Sequence, residues 1–310
     1  MNSNRFVFLG GCPRSGTTLV QNMLDSHPHI AGGPEFLHLV DIVGLRNKLH
    51  GSINKGWIDL FCSAEQVDDE VRRLIETLLL QFVDAQQVPL LSEKSPENIL
   101  VFSELVQLFP EAKFIHIFRD PRAVVASLLA TGARARAKGE EPASHTADLD
   151  SAVRFTRSCL RSGLKAEEAW PGRIHRVCYE ELVEDPEGVT RSVCEYLEVP
   201  WSSEMLRPGE HTHAGEAAIT VRSKEIWYDR STYYSNPDPA KVDKWRTSLT
   251  LAQQVAIEEA LRGLSVFKRF GYDLSMADSN GSVRKATARA LYLLGRLETA
   301  TRSRMVRLFS

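Results

Sequence analysis

The sequence predicts an α/β fold with a central, mainly parallel sheet, and three observations support this prediction. Short apolar runs alternate with longer amphipathic segments, which is typical of strands that alternate with helices. The first apolar run, residues 6–9, leads directly into a glycine-rich loop and then into helical spacing. Of the 310 residues, 43% are hydrophobic, which is enough to build a sizeable core.

The strands and helices follow in chain order from two patterns, continuous apolar runs and helical apolar spacing. Strands are predicted at residues 6–9, 89–92, 113–118 and 174–179. Helices are predicted at residues 17–26, 35–49, 67–88, 98–109, 149–169, 186–197 and 242–264, with one more that begins at Pro121. Residues 131–148 lack large apolar side chains, which predicts a mobile loop or lid.

The chain divides into a large domain, residues 1–275, and a C-terminal extension. Residues 276–282 are small and polar, which is typical of a linker. Residues 283–310 are predicted to form an amphipathic helix with seven Arg or Lys residues and one acid, Glu298. Such a helix could pack on its own domain, pair with a second subunit or contact an anionic membrane surface.

Composition argues against several classes of protein. The net charge is -2, which gives no sign of a nucleic-acid partner. The five cysteines are scattered, which argues against a disulfide framework and a zinc site. The first residues lack the features of a signal peptide, and no apolar run reaches the roughly 20 residues that span a bilayer. The expected location is the cytoplasm.

A phosphate-binding loop is predicted at residues 10–18, Gly-Gly-Cys-Pro-Arg-Ser-Gly-Thr-Thr, between the first strand and the first helix. Its glycines let backbone N–H groups converge on an anion, and the helix N-terminus adds partial positive charge. In the nucleoside triphosphate loop, GxxxxGK[ST], a lysine reaches the phosphates, but Thr17 stands at that position here. Arg14 can supply the charge instead. A P-loop small-molecule kinase is therefore only the alternative interpretation.

A second anion site is predicted at the end of the strand at residues 113–118. Ligands of parallel sheets bind at the carboxyl ends of the strands, which places Arg119 at the ligand edge. Ser127 lies about two turns into the next helix, and an arginine with a hydroxyl suits a phosphate. Asp120 is positioned to cap that helix. The opposing interpretation is that Arg119 and Arg122 are surface charges that pair with Asp120.

Together these motifs resemble those of the family of sulfotransferases that use 3′-phosphoadenosine 5′-phosphosulfate (PAPS), in particular those of bacterial and tyrosylprotein sulfotransferases. Residues 13–18 resemble the family's 5′-phosphosulfate loop, and residues 118–122 with Ser127 resemble its 3′-phosphate motif. Weaker similarities follow in the family's order, at residues 24–35, 92–96, 176–182 and 242–246. The resemblance covers residues 5–275 and implies a P-loop NTPase-like three-layer fold.

The resemblance implies transfer of a sulfuryl group from PAPS to an acceptor hydroxyl or amine, with release of 3′-phosphoadenosine 5′-phosphate (PAP). Arg14 and Lys94 would stabilise charge, and Glu35 would be the general base, with His38 as the alternative. Contacts with the donor are implied for Arg14, Ser15, Gly16, Thr17, Thr18, Arg119, Ser127, Tyr179, Ser231 and Lys244. His116 lies mid-strand, which predicts a core histidine.

The reaction is expected to need no metal, because a sulfuryl group carries less charge than a phosphoryl group. The acceptor could be a small molecule, a sugar, a lipid or a tyrosine-containing molecule. A non-catalytic relative that binds PAP without turnover is a further alternative, which the presence of both Glu35 and Lys94 opposes.

Overall fold

The structure, a computed structural model, describes residues 3–214, 225–227 and 235–275, with Ala286 and Ala290. Backbone contacts divide the chain into two compact units. The first comprises residues 1–119 and 158–239, and the second comprises residues 120–157 and 240–310. Ser231, the predicted linker and most of the predicted C-terminal helix lie outside the described residues. The predictions made for them stay predictions.

Five strands form one parallel sheet in the described part of the chain. They are β1 (Phe6–Gly11), β2 (Ile30–Gly32), β3 (Leu90–Lys94), β4 (Lys113–Phe118) and β5 (Ile174–Cys178). The order across the sheet is β2-β3-β1-β4-β5, which confirms the predicted parallel sheet. Since β1 pairs with β3 on one side and β4 on the other, the loop after β1 emerges at the middle of the sheet. The sequence did not predict β2, whose three residues are too few to show a pattern.

The two faces of the sheet are covered by different kinds of side chain, because alternate residues of a strand point to opposite faces. On one face, the Phe6 and Phe8 rings stack with centroids 5.1 Å apart, and Phe109 packs against both. The other face is aliphatic, and its buried cluster includes Val7, Leu9, Val20, Met23, Leu24, Ile115, Ile117, Val177 and Val193. On the aromatic face the helical residue Phe102 also packs against Phe114, with ring centroids 5.5 Å apart. Helical residues therefore cover both faces, which confirms the three-layer fold.

The helices follow the predicted alternation with the strands. Within residues 3–275, the α-helices that the structure describes are α1 (Thr17–Asp25), α2 (Leu39–Asn54), α3 (Ala64–Gln86), α4 (Phe102–Leu108), α5 (Pro121–Ala137), α6 (Leu149–Ala169), α7 (Tyr179–Glu184), α8 (Pro186–Leu197), α9 (Trp245–Ser248), α10 (Leu251–Leu261) and α11 (Val266–Arg269). Short 3₁₀ helices include Pro96–Val101, Ser144–Thr146 and Arg262–Leu264.

The helix predicted from Glu35 begins only at Leu39, so this prediction is wrong at its first turn. Leu37 has a left-handed φ of 58°, which a regular helix does not allow. Its N–H group donates to the Ser95 Oγ at 3.1 Å instead of to a helical carbonyl. Glu35 therefore lies in an irregular connection between β2 and α2.

Further segments differ from their predictions. The helix predicted at residues 98–109 is a 3₁₀ helix as far as Val101, and Tyr179 begins a helix and does not end β5. The predicted loop at residues 131–148 is helical as far as Ala137, because its small residues serve close packing. A Cβ on Gly132 would lie 2.0 Å from the Thr146 carbonyl oxygen, so only glycine lets that 3₁₀ turn pack on α5. The helix predicted at residues 242–264 is interrupted at Thr250, whose hydroxyl accepts a hydrogen bond from the Gln253 N–H and caps α10.

The second unit contains a buried arginine on α5. Arg122 is 1% exposed and forms ion pairs of 2.7 Å with Asp120 and Glu258. Its guanidinium carbon lies 4.0 Å from the Trp245 ring centroid. Asp120 also accepts a hydrogen bond from the Arg122 N–H at 2.8 Å, which confirms the predicted cap. The predicted surface pairing is therefore wrong for Arg122, because this pair is buried and structural.

Three further observations concern cysteines, metal sites and membranes. All five cysteines are free. In the described ranges, no group of three or more His, Cys, Asp or Glu side chains is arranged to hold a metal ion. None of the described helices combines the length and the apolar character needed to cross a bilayer.

Candidate active site

The glycine-rich loop closes as a tight turn between β1 and α1. The Ser15 N–H donates to the Cys12 carbonyl at 3.0 Å, and Arg14 and Gly16 have left-handed φ angles of 77° and 102°. Glycine is required at position 16 for two reasons. Its φ disfavours a side chain, and a Cβ would lie 2.4 Å from the Tyr179 ring. The first N–H groups of a helix have no partner within it, so this turn presents donors to an anion.

Buried hydroxyl groups line the turn at Ser15, Thr17 and Thr18. Ser15 is 1% exposed, and its Oγ has no hydrogen-bond partner. A Cβ on Gly11 would lie 2.8 Å from this Oγ, so glycine there leaves room for the hydroxyl. A buried hydroxyl without a partner costs free energy, which an acceptor oxygen of a phosphate or sulfate would recover. The loop residues therefore fit the 5′-phosphosulfate end of PAPS.

Arg119 follows β4 and lies against this loop. Its Nη1 donates to the Arg14 carbonyl at 3.3 Å, and its guanidinium carbon lies 4.0 Å from the Tyr179 ring centroid. Tyr179, the first residue of α7, is 5% exposed, and burial raises the pKa of its phenol. Because the same ring also packs on Gly16, Tyr179 connects the phosphate loop to Arg119. Whether either residue contacts the donor stays a prediction.

The Arg14 side chain reaches a third segment of the first unit. Its Nη1 donates to the Trp227 carbonyl at 2.7 Å. This bond ties the phosphate loop to residues 225–227, which the sequence did not associate with it.

Lys94 and Glu35 form an ion pair beside the loop. Gly32 of β2 pairs with Ser92 of β3, so the residues that follow these two strands are neighbours. The Lys94 Nζ contacts the Glu35 Oε1 and lies 3.4 Å from the Thr18 Oγ1. The Lys94 side chain is 3% exposed and that of Glu35 is 14% exposed. A candidate base, an ammonium group and a hydroxyl of the phosphate loop thus meet at one point.

His38, the alternative base, lies in a different environment. Its side chain is 69% exposed, and its Nδ1 lies 3.3 Å from the Asp41 carboxylate. The geometry therefore favours Glu35, which contacts Lys94 next to the loop. His116 is 2% exposed with its Nδ1 2.7 Å from the Glu167 Oε1, which confirms the predicted core histidine.

Sequence reasoning missed a buried polar cluster next to Lys94. Glu93 is 3% exposed and accepts hydrogen bonds from the Ser95 Oγ at 2.7 Å and the Asn98 Nδ2 at 2.5 Å. Burial raises the pKa of the Glu93 carboxyl. One sequence signal could have found this cluster: Glu93 follows the apolar start of a predicted buried strand. A carboxylate in such a position needs hydrogen-bond partners.

Three predicted donor contacts, Ser127, Ser231 and Lys244, are not tested by the geometry of the first unit. Ser127 and Lys244 belong to the second unit, where Ser127 lies on α5 and Lys244 immediately precedes α9. The Ser127 carbonyl accepts from the Thr131 hydroxyl at 2.9 Å, and the Lys244 carbonyl accepts from the Ser248 hydroxyl at 2.8 Å. Their roles toward the donor stay predictions, as does that of Ser231.

Comparisons with known sequences match a sulfotransferase family and several of its members. The model of the sulfotransferase family matches residues 7–203. Protein-tyrosine sulfotransferase A of Caenorhabditis elegans is 29% identical over 205 residues, which are 65% of this chain and 52% of the relative. Human protein-tyrosine sulfotransferase 1 is 31% identical over 206 residues, 66% of this chain and 54% of the relative. The chain thus matches about half the length of these curated relatives.

Solved structures show the same fold. The sulfotransferase domain from the Synechococcus PCC 7002 olefin synthase has a TM-score of 0.56 and 26% identity, and the match covers 87% of this chain and 95% of that one. The sulfotransferase domain from the curacin biosynthetic pathway has a TM-score of 0.58 and 21% identity, with 86% and 98% covered. At that identity, the second likeness is evidence for the fold alone.

Proposed function

This chain belongs to the sulfotransferase family, and we propose that it transfers a sulfuryl group from PAPS to an acceptor hydroxyl and releases PAP. The observation that carries the proposal is the contact of Lys94 with both Glu35 and Thr18. A base, a cation and an anion-binding loop are the parts that such a transfer needs within reach of one another.

The donor would be held at its two phosphates. Backbone N–H groups of residues 16–18 and the Ser15 hydroxyl would bind the 5′-phosphate, since the Ser15 N–H already donates to the Cys12 carbonyl. Arg119, on its Tyr179 platform, would bind the 3′-phosphate, the group that distinguishes PAPS from other adenine nucleotides.

The chemistry is a displacement at sulfur. An S–O bond forms to the acceptor oxygen, and the bond between sulfur and the bridging oxygen breaks, so its electron pair leaves with PAP. Glu35 accepts the acceptor proton, and Lys94 and Arg14 stabilise charge on the sulfuryl oxygens and the leaving phosphate. As in phosphoryl transfer, positioning and charge stabilisation supply most of the catalysis.

The kinase alternative finds no support. Thr17 occupies the position of the lysine that a nucleoside triphosphate loop requires, and the matching family model and the relatives named above are sulfotransferases.

For the acceptor, we propose a tyrosine-containing molecule as the first candidate, because the curated relatives carry the name protein-tyrosine sulfotransferase. Sugars, lipids and small-molecule alcohols are the alternative acceptors to be tested in the same assay.

Calorimetry with PAP, ATP and ADP, without magnesium, tests the donor. We expect PAP to bind at least about tenfold more tightly than either, because a charge-assisted contact to the 3′-phosphate is worth roughly 1.5 kcal/mol or more. A preference for ATP would overturn the proposal. Turnover is then measured as PAP release from PAPS with a tyrosine peptide, a sugar, a lipid and an alcohol. PAP binding without turnover on any of them would indicate a non-catalytic relative.

A further inference from the structure

The segment that carries Glu35 is held at the end of β3 from two sides. Neighbouring residues of a strand point to opposite faces of the sheet. Lys94 contacts Glu35 and Thr18 of α1, whereas the preceding residue, Glu93, contacts Asn98 in the 3₁₀ helix that follows β3. The proposed chemistry explains Lys94 but gives no reason for a buried carboxylate beside it.

Glu93 and Ser95 bind the backbone of the two residues that follow Glu35. The Phe36 N–H donates to the Glu93 Oε1 at 3.4 Å. The Ser95 hydroxyl donates to the same oxygen at 2.7 Å and accepts from the Leu37 N–H at 3.1 Å. Leu37 has the left-handed φ of 58°, a conformation that persists only where the surroundings enforce it. These bonds therefore account for the irregular, non-helical course of the chain just after Glu35.

The same cluster connects to the strand that carries the phosphate loop. The Asn98 Nδ2 donates to the Glu93 Oε2 at 2.5 Å and to the Leu9 carbonyl of β1 at 3.2 Å. Glu93 and Asn98 are both buried, and a buried carboxylate is costly unless donors surround it. Hydrogen bonds thus run from β1 through Asn98 and Glu93 to Phe36.

We propose that Glu93 is a positioning residue of the transfer reaction, which sets the position of Glu35 relative to the phosphate loop. It acts through the backbone of Phe36 and, by way of Ser95, through that of Leu37. The inference rests on the proposed function, because it takes Glu35 as the base.

The first test is Glu93→Gln, which replaces one acceptor oxygen by an NH₂ group among donors. We expect kcat to fall about 10-fold to 100-fold, since a displacement of about 1 Å has that effect, while PAP affinity is unchanged. Glu104→Gln is the matched control. Glu104 lies on α4 and accepts from the Asn47 side chain at 3.3 Å, outside the cluster, and this variant should keep normal turnover.

A milder variant covers the case in which Glu93→Gln does not fold. Ser95→Ala removes the bonds to Leu37 and Glu93 but leaves the carboxylate in place. We expect a loss of about 2-fold to 10-fold in kcat, again without a change in PAP affinity, because only the bond to the Leu37 N–H holds the segment directly and one ordinary hydrogen bond is worth that much. A folded Ser95→Ala variant with normal kcat would count against the proposal.

A double-mutant cycle separates positioning from general structural damage. If Glu93 acts through Glu35, adding Glu93→Gln to Glu35→Gln should cause little further loss of turnover. The same fold-loss in both backgrounds, or normal kcat in folded Glu93→Gln, would overturn the positioning role and leave the base assignment intact. Full turnover in Glu35→Gln alone would instead remove the base, and this inference with it.

Discussion

The phosphate loop and the Glu35–Lys94 pair are neighbours, but the chain builds them in different ways. The loop consists of consecutive residues, and local features determine its shape: a left-handed glycine at position 16, a short turn and a helix start. The two members of the pair are 59 residues apart in sequence. They meet only because β2 pairs with β3 and because Glu93 and Ser95 hold the segment after Glu35.

Because of this difference, substitutions in the two regions should change different measured quantities. In the proposed reaction, the loop backbone, the Ser15 hydroxyl and Arg119 bind parts of the donor that remain in PAP, whereas the pair, together with Arg14, acts on the atoms that react. Substitutions in the first region should therefore weaken PAP binding, and substitutions in the second should lower kcat. A substitution that lowers PAP affinity and kcat by the same factor would contradict this division of roles between the two regions.

Glu35→Gln should have the largest effect. We expect kcat to fall about 100-fold to 10,000-fold, the range for loss of a general base, with PAP affinity unchanged. His38→Ala is the comparison variant, because His38 is the other candidate base and is exposed. Near-normal turnover in Glu35→Gln with a large loss in His38→Ala would reverse the assignment.

Lys94→Met should come next. Loss of one group that stabilises developing charge lowers kcat by about 100-fold to 1,000-fold. Lys113→Met is the matched control, since Lys113 begins β4 at the opposite end of the strand from Arg119 and pairs with the exposed Glu198. Equal effects in the two lysine variants would mean that the loss reflects general damage to the sheet.

Arg119→Ala should weaken PAP binding selectively. We expect PAP affinity to fall about 10-fold to 100-fold, the worth of a charge-assisted hydrogen bond, while AMP, which lacks the 3′-phosphate, changes little. Calorimetry with both nucleotides measures this. Equal losses for PAP and AMP would mean that Arg119 supports the loop through the Arg14 carbonyl and does not bind the 3′-phosphate.

Gly16→Ala should disturb the loop through its contact with Tyr179. Gly172 offers a matched control, because it also has a left-handed φ, 76°, but nothing within 4 Å of an added Cβ. We expect Gly16→Ala to lower the free energy of unfolding by about 1–3 kcal/mol more than Gly172→Ala does, since only the first overpacks a ring. PAP affinity should fall about 5-fold or more in Gly16→Ala alone. Identical behaviour of the two variants would mean that backbone strain explains the whole effect.

Glu167 lies outside both regions, so its substitution should have the smallest effect on turnover. Burial alone would raise the pKa of this carboxyl, but hydrogen bonds and charge from His116 and Arg176 lower it to about 2 from the usual 4.5. Because the folded-state pKa is the lower one, Glu167 contributes stability above pH 4.5, and this contribution is lost as the pH falls toward 2.

Thermal unfolding of the wild type and Glu167→Gln between pH 7 and pH 3 measures that contribution. We expect a constant difference in Tm above about pH 5 that shrinks below it. A loss of turnover above pH 5 would then arise in the candidate active site and not from unfolding caused by protonation of Glu167. A difference that grows as the pH falls would contradict the ion pair.

Sequence reasoning succeeded where structure and chemistry depend on consecutive residues. The strand, loop and helix at residues 6–26 and the Asp120 cap were predicted from local patterns, and both lie where expected. Glu35 and Lys94 were named only through a resemblance, because nothing local indicates that they meet. Local reasoning was wrong at residues 131–137, where small residues pack closely in a helix.

The sequence by itself determined the parallel α/β fold and the glycine-rich turn after the first strand, because glycine conformations, apolar runs and helix starts act over a few residues. Only the tertiary structure decided which carboxylate lies against Lys94, that Tyr179 joins Gly16 to Arg119, and that Glu93 holds the segment after Glu35. The physical reason is that strand pairing and burial bring together groups many residues apart, and no local property of either group records its partner.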